Sequence, residues 1–325
     1  MLKFLRAAAA AALLATAGAA SAAQPSYSIT EIVLPNALWA EVTAVNNRGD
    51  VAGWYRAPRP GVSFEVEEAF LWRDGTVTHL GFPTAIRNSH IWGMNDKGVL
   101  VGGVLGGNAY TWQDGTWTDL GFGGEARSIN RSGAIAGITS NFGFNRGFLL
   151  ANGVLWDIGM PDTRLASFAY SVNDKNVVVG TAEVNLIGQR HGYVWQNGML
   201  TDVGTLGGPS STLLSINSHG YAVGWSFDSA FGLATVQWDG DLSRLFSLPG
   251  THVANAVNDR GVAVGTIDSG AFVYERGVLL RLDQLPEVVA AGWTALTPQG
   301  INDRGWIVGR GLRNGVMRGF VIRPR

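Results

Sequence analysis

A nine-residue phrase recurs seven times along the chain and constrains the fold more than any other feature. One copy reads Val-Asn-Asp-Arg-Gly-Val-Ala-Val-Gly over residues 257–265. In every copy an apolar residue precedes an asparagine, and a glycine follows seven positions after the asparagine. The asparagines are Asn46, Asn95, Asn130, Asn173, Asn217, Asn258 and Asn302. A phrase repeated at this spacing predicts a chain built from seven similar structural units.

The phrase itself predicts a β-hairpin with a tight turn. Two short β-rich runs flank a polar break, which is the pattern of two antiparallel strands. Asparagine at the first turn position can bond to the backbone two residues on, and the fourth position requires a positive φ. Glycine occupies that fourth position in six copies and Asn176 in the seventh, and these residue types tolerate positive φ best. The residue two before each asparagine is always small, which predicts close approach of backbone or of a neighbouring sheet.

Each unit is expected to hold four strands. A second hairpin follows the phrase, with a two-residue turn such as Asp74-Gly75 or Asn152-Gly153. The asparagines are separated by 49, 35, 43, 44, 41 and 44 residues. A period near 40–45 residues with four strands is typical of a β-propeller, and an open β-solenoid is the main alternative.

The two chain termini favour the closed fold. The seventh unit stops at Arg325 after three strands, and residues 28–35 form an isolated strand near the start of the chain. That strand is expected to complete the last unit, which removes the open edges between first and last blades. We therefore predict an all-β, seven-bladed β-propeller over residues 23–325, closed by the N-terminal strand pairing with the last blade.

Residues 1–22 have the pattern of a secretory signal peptide. Lys3 and Arg6 precede an apolar run, and Ala20-Ser21-Ala22 is a small-residue cleavage site. We expect cleavage near Ala22-Ala23 and a secreted or periplasmic protein, with an uncleaved anchor as the alternative. No later stretch is long and apolar enough to span a membrane.

Composition excludes several classes of function. The chain has 24 basic and 25 acidic residues and no cysteine, so we expect no nucleic-acid partner and no disulfides. The five histidines have no metal-ligand spacing, and no cofactor or metal is expected. The Gly-rich run 121–126 leads into a strand, which argues against a dinucleotide site. We expect a monomer.

Part of the repeat resembles a known family. Residues 191–208 read His-Gly-Tyr-Val-Trp-Gln-Asn-Gly-Met-Leu-Thr-Asp-Val-Gly-Thr-Leu-Gly-Gly and look like the repeat of the HAF family of extracellular repeat proteins. Variants of its His-Ala-Phe run stand at residues 68–70, 108–110, 191–193 and 270–272. The resemblance covers nearly all of residues 28–325. It implies secretion and a repeat architecture, and it carries no catalytic residue.

The strand order predicts which face binds a ligand. The short turns lie on one face and the long, varied connections on the other, where function usually resides. The candidate ligand-binding residues on that face are Arg87, His90, Trp92, Arg164, Tyr170, His252 and Trp293. Aromatic, Arg and His side chains can stack on a sugar or hold an anion, although Trp92 and Trp293 also suit packing between blades.

These observations predict a secreted binding module for glycan or for an envelope or extracellular protein. The alternative is a polysaccharide lyase or hydrolase with a site at the channel mouth. For that enzyme the candidate residues are Arg87, His90, Tyr170 and His252. A purely structural envelope protein is a third possibility, because fold does not determine function.

Overall fold

A computed structural model describes residues 26–325 except 60–62, 86–87, 105, 141–143, 160–163, 240–245, 249–252 and 269. Strands dominate these residues. The helical segments described are a 3-10 turn, Leu282–Gln284, and a five-residue helix α1, Pro286–Ala290. Both lie between strands β24 and β25.

The strands form six antiparallel sheets. One has the order β2-β3-β4-β5 and consists of Trp39–Val45, Val51–Pro58, Glu65–Arg73 and Thr76–His79. The largest runs from β6 to β12 and consists of His90–Met94, Leu100–Gly103, Asn108–Gln113, Thr116–Ile129, Ile135–Thr139, Arg146–Ala151 and Val154–Ile158. The next has β13 to β16, which are Ser167–Val172, Val178–Glu183, Arg190–Gln196 and Met199–Asp202.

Three sheets belong to the C-terminal half. Strands β17 to β20 are Gly207–Ile216, Ala222–Asp228, Leu233–Trp238 and Phe246–Leu248. Strands β21 to β24 are Val253–Val257, Ala263–Ile267, Gly270–Glu275 and Val278–Arg281. The last sheet has the order β1-β27-β26-β25, formed by Tyr27–Glu31, Val316–Pro324, Ile307–Arg313 and Trp293–Ile301.

The prediction of seven separate four-stranded sheets is wrong in one respect, because β9 is continuous. This 14-residue strand pairs with β8 through Gly123 and with β10 from Gly124 onward. No loop interrupts it at the junction, and Gly124 has a φ of 142°, a conformation that suits glycine. Two units therefore merge into one seven-stranded sheet.

The predicted turns are confirmed in their geometry. Glycines at the fourth turn position have positive φ, and Asn176 has a φ of 59°. Five of the second hairpins have positive φ at both turn residues, as at Asp74 (48°) and Gly75 (90°), which is the twist-matched hairpin turn. The turn of the fifth unit lies partly outside the described residues.

The N-terminal strand pairs as expected with the last strand of the chain. Residues Tyr27 to Glu31 lie opposite Pro324 to Phe320. Ile32 and Leu34 continue into a buried cluster that also contains Val308 and Val321. Residues near the two ends of the sequence thus share one sheet and one core.

The seven asparagines of the repeat form a closed cycle of hydrogen bonds. Each Nδ2 donates to the backbone carbonyl of the next asparagine, and Asn302 donates to Asn46, at distances from 2.8 to 3.3 Å. Each Oδ1 accepts backbone N–H groups of its own turn, as Asn258 does from Arg260 and Val262. We call this set of seven side chains the asparagine belt. It is buried, so its polar groups are satisfied within the protein.

Apolar side chains fill the space between neighbouring sheets. Phe70, Phe148, Phe272 and Phe320 are fully buried. Four tryptophans that share one position in the third strand of their units, Trp72, Trp112, Trp195 and Trp238, are at most 8% exposed and belong to this core.

Candidate functional site

Every unit has a β-bulge three residues before its belt asparagine. In each first hairpin strand the pairing register skips one residue at that position, as between Ile91 and Gly93. The skipped residues are Thr43, Trp92, Arg127, Tyr170, Leu214, Asn255 and Gln299. A bulge leaves its extra residue unpaired and redirects the side chain.

The repeated glycine is the residue that lies opposite each bulge. Gly265 pairs with Ala254, and a Cβ at Gly265 would lie 1.9 Å from the carbonyl oxygen of Val253. All seven glycines have such a contact, at 1.8 to 2.1 Å. The backbone approaches too closely for any side chain, so the glycine allows the bulge to form.

The seven bulge residues surround one cavity. Together with Glu41 they line a space of about 220 Å³, which we call the loop-end cavity. A second cavity of about 190 Å³, the turn-end cavity, is lined by the belt asparagines and the residues on either side of each. Each unit contributes its bulge residue to the loop-end cavity and its belt asparagine, with the two neighbours of that asparagine, to the turn-end cavity. Both cavities therefore lie on a common axis.

The residues one before each asparagine form an apolar collar. They are Val45, Met94, Ile129, Val172, Ile216, Val257 and Ile301. The residue between collar and bulge is the small one, and at Gly93 a Cβ would lie 2.9 Å from the carbonyl oxygen of Arg127 on the next unit. The predicted close approach is therefore confirmed at this position.

Opposite charges are paired at the loop-end cavity. The Arg127 guanidinium forms an ion pair with Glu125 and lies 4.2 Å from the centre of the Trp92 ring. Glu41 forms an ion pair with Arg310. Burial raises the pKa of Glu41, and the charge and hydrogen bond of Arg310 oppose that rise. Burial also raises the pKa of Tyr170, against the positive charges of Arg127 and Arg190.

Two N–H donors of this cavity wall lack acceptors. Trp92 Nε1 and Arg127 Nε are buried and have no hydrogen-bond partner among the described residues. Leaving such a donor unsatisfied costs about 1–3 kcal/mol. Unsatisfied buried polar groups are uncommon in folded proteins and are found at functional sites.

The structure brings together two of the predicted site residues and separates the others. Trp92 and Tyr170 both line the loop-end cavity. His90 is buried instead, with Nε2 2.8 Å from Glu67 Oε2 and its ring 4.0 Å from the Trp54 ring. Trp293 is 3% exposed and packs against Phe320, so its role here is in the core.

Arg164 is exposed and does not line the loop-end cavity. Arg87 and His252 lie outside the described residues.

Sequence reasoning missed Arg127, Asn255, Gln299 and Glu41. A signal was present, because the position three before each asparagine is occupied by a different residue type in every unit. The surrounding positions repeat, so the position three before each asparagine is the one at which the units differ from one another. Without the bulge, however, strand alternation does not show that all seven side chains meet.

Within the described ranges, no group of three His, Asp or Glu side chains is placed to hold a metal ion. No helix among these residues is long and apolar enough to cross a membrane.

Comparison with known proteins yields similarity in fold. No family model matches the chain, and no curated protein matches it. The β-propeller domain of the Trilobed protease from Pyrococcus furiosus is similar with a TM-score of 0.58 and 11% identity, over 88% of this chain and 94% of that one.

Two enzymes have similar folds. An oligogalacturonate lyase from Vibrio parahaemolyticus gives a TM-score of 0.50 at 12% identity, over 93% of this chain and 94% of that one. An acylaminoacyl peptidase from Pyrococcus horikoshii gives 0.51 at 10% identity, over 85% of this chain and 50% of that one. At such low identity these similarities concern the fold alone, and the chain has an all-β architecture of the β-propeller kind.

Proposed function

We propose that the chain is a closed seven-bladed β-propeller that binds a neutral glycan in the loop-end cavity. Three observations support the blade count: the seven-membered asparagine belt, the cavities lined by one residue per unit, and the pairing of β1 with β27. The second and third blades then share the continuous strand β9. We also propose that the chain is secreted and related to the HAF repeat proteins, on the strength of residues 1–22 and 191–208.

The observation that carries the binding proposal is the variety of the bulge residues. The scaffold repeats the glycine, the asparagine and the small residue in every unit, yet the seven side chains pointing into the cavity are all different. Folding alone does not require this variety, because each unit has the same local geometry. A rigid frame that presents an irregular set of side chains is the usual construction of a binding site.

The chemistry of this set suits a sugar. Trp92 and Tyr170 supply aromatic surface that can pack on a sugar ring, and Tyr170 also carries a hydroxyl. Asn255 and Gln299 supply amides with both donors and acceptors, which match sugar hydroxyls. Glu41 and Arg127 are each paired with an opposite charge, so the cavity has no excess charge to favour an ionic ligand.

A polysaccharide-active enzyme is the second candidate. A buried carboxyl with a raised pKa, Glu41, and a tyrosine, Tyr170, line the same cavity. Such a pair is the kind of acid and base that glycan cleavage uses. The ion pair to Arg310 and the raised pKa of Tyr170 both disfavour a free base at neutral pH, so binding without turnover is favoured.

The proposal is tested by screening the mature chain on an array of neutral and acidic glycans. Trp92→Ala and Tyr170→Ala should each weaken binding to the neutral glycans at least tenfold, with melting temperatures within a few degrees of the parent. Trp156→Ala is the matched control, since Trp156 is 47% exposed and lies in β12 outside the cavity.

Two outcomes would contradict it. Unchanged binding by both cavity variants would place the glycan elsewhere, and an empty array would remove the glycan as ligand. Release of new reducing or unsaturated ends, lost in Glu41→Gln, would establish the enzyme in place of the binding module.

A further inference from the structure

The junction between the second and third units has no connecting loop. Strand β9 passes directly from one unit to the next, whereas residues outside the strands connect the units at every other junction that the structure describes in full. The second unit also has the smallest asparagine spacing, 35 residues. The loop face therefore has one connecting segment fewer at this place.

A groove of about 430 Å³ occupies that place, and we call it the seam groove. It is the larger of the two spaces, with four glycines on its wall: Gly106, Gly107, Gly123 and Gly124. A Cβ at Gly123 would meet nothing closer than the Ser140 hydroxyl, at 3.3 Å. The groove thus owes part of its width to the absence of side chains at Gly106 and Gly123.

The seam groove joins the loop-end cavity at Arg127. This residue lines both spaces, and its ion-pair partner Glu125 lines the groove. Hydrogen bonds fix the groove wall, from Gly124 N to Gly107 O and from Thr139 Oγ1 to Gly123 O. The two spaces are therefore neighbours that share the Arg127 side chain as a common wall.

We propose that the seam groove binds the outer sugar units of a neutral oligosaccharide whose end unit lies in the loop-end cavity. The inference rests on the proposed glycan-binding function and extends it to chain length and direction. Beyond the Glu125–Arg127 pair the wall offers the hydroxyl of Ser140, the amide of Asn145 and the apolar surfaces of Ile138 and Phe168. Such a mixture of uncharged polar and apolar groups suits a neutral sugar chain.

The size of the two spaces supports a chain over a single sugar. The loop-end cavity, at about 220 Å³, is below the roughly 300–1,000 Å³ typical of sites for larger ligands. Joined with the groove it reaches that range. A single sugar fits the cavity alone, so the groove contributes affinity for longer ligands only.

Titration calorimetry with a length series tests this inference. The probes are one-, two-, three- and four-unit members of the neutral glycan that binds best on the array. The parent should bind longer members at least tenfold more tightly than the single sugar. In Ser140→Trp, whose exposed side chain would fill the groove, that gain should disappear while single-sugar affinity stays within twofold.

Asn145→Trp provides a second block from another exposed wall position. Thr116→Trp, at an exposed residue at the far end of β9, is the matched control and should retain the gain. Equal affinity for all lengths in the parent, or a gain that survives both blocks, would overturn the groove while leaving the cavity in place. Absence of glycan binding at every length in the parent would overturn both proposals. In Trp92→Ala, a loss of affinity at every length is expected, which distinguishes the role of the cavity from that of the groove.

Discussion

The turn-end cavity and the loop-end cavity are built from the same seven strands and differ in almost everything else. At the turn end, seven identical asparagines form a closed hydrogen-bonded belt, and each donates to the next. At the loop end, three residues earlier in each strand, seven different side chains meet in one cavity. One end repeats and the other does not, although the distance between them in each strand is three residues.

The difference teaches how a repeat protein separates stability from specificity. A belt side chain must satisfy the backbone of its own unit and of the next, so only asparagine serves at every position. A bulge side chain projects into the cavity, and its partners differ from unit to unit, as Asn255 donates to Pro298 and Arg127 pairs with Glu125. The bulge itself depends on the glycine opposite, which repeats with the belt. The asparagine belt and the repeated glycines thus hold the bulge residues in place.

The largest effect should come from removing β1, which closes the ring in the proposed propeller. A chain that begins at Ala37 loses β1 and the buried side chains Ile32 and Leu34. Burial of each is worth about 1.5–3 kcal/mol, and β27 becomes an exposed edge prone to aggregation. We expect loss of the cooperative melting transition and poor solubility. The turn-end and loop-end cavities should be lost together.

Adding a synthetic peptide of residues 24–36 to the truncated chain should restore the transition. If the truncated chain melts as the parent does without the peptide, β1 does not close the ring.

The next effect concerns the glycine that connects the two ends. In Gly265→Ala the new Cβ would lie 1.9 Å from the Val253 carbonyl oxygen, so the backbone must shift. We expect a loss of about 3–4 kcal/mol in the free energy of unfolding, measured by urea titration. Gly153→Ala is the control, since its Cβ meets open space and the positive φ of 76° costs about 1 kcal/mol. Equal losses in the two variants would contradict the steric account.

A matched pair of asparagines in β21 and its turn compares the two ends directly. Asn258→Ala removes a buried donor to Asn302 and an acceptor of two backbone N–H groups. Each group left unsatisfied costs about 1–3 kcal/mol, so we expect a stability loss of about 2–4 kcal/mol. Asn255→Ala removes one half-buried hydrogen bond, to Pro298, and should cost about 1 kcal/mol.

Glycan affinity should show the opposite order. Asn255→Ala should bind the glycan more weakly than the parent, whereas folded Asn258→Ala should bind it about as tightly as the parent. If both variants lose stability equally, the separation between belt and cavity fails.

The smallest effect is a pH dependence at the turn end. Burial of the Asp50 carboxyl acts to raise its pKa, but hydrogen bonds from Arg73, Asn46 and Arg48 outweigh burial and hold the pKa at about 2, below the ordinary 3.8. The contribution of the Asp50 carboxylate to the free energy of unfolding is therefore complete above about pH 4 and disappears as the pH falls through about 2.

Because both arginines are about half exposed, solvent screens the interaction, and Asp50→Asn should cost about 1 kcal/mol at pH 7. Urea titrations at pH 7 and pH 2 measure the difference between parent and variant. A difference that is the same at both pH values would show that the carboxylate charge is not involved.

The prediction from sequence was successful for features that depend on local geometry. The turns followed from asparagine and glycine chemistry, and the pairing of β1 with β27 followed from counting strands. The merged sheet was not predicted, because Gly121 to Gly124 has the composition of a loop and only the register of β9 shows a continuous strand. Trp92 and Tyr170 were identified as aromatic candidates on the face of the long connections, whereas the amides of Asn255 and Gln299 did not stand out in the sequence.

The sequence by itself determined the repeated unit, since a turn that needs positive φ and a side-chain acceptor limits each position to one or two residue types. Tertiary structure alone decided which side chains share a cavity. The seven bulge residues are dozens of positions apart in sequence, and they meet because the belt closes and the bulges turn each one toward the same axis. It also decided where the seam groove lies, because the wall of the groove combines residues of two units that meet along the continuous strand β9.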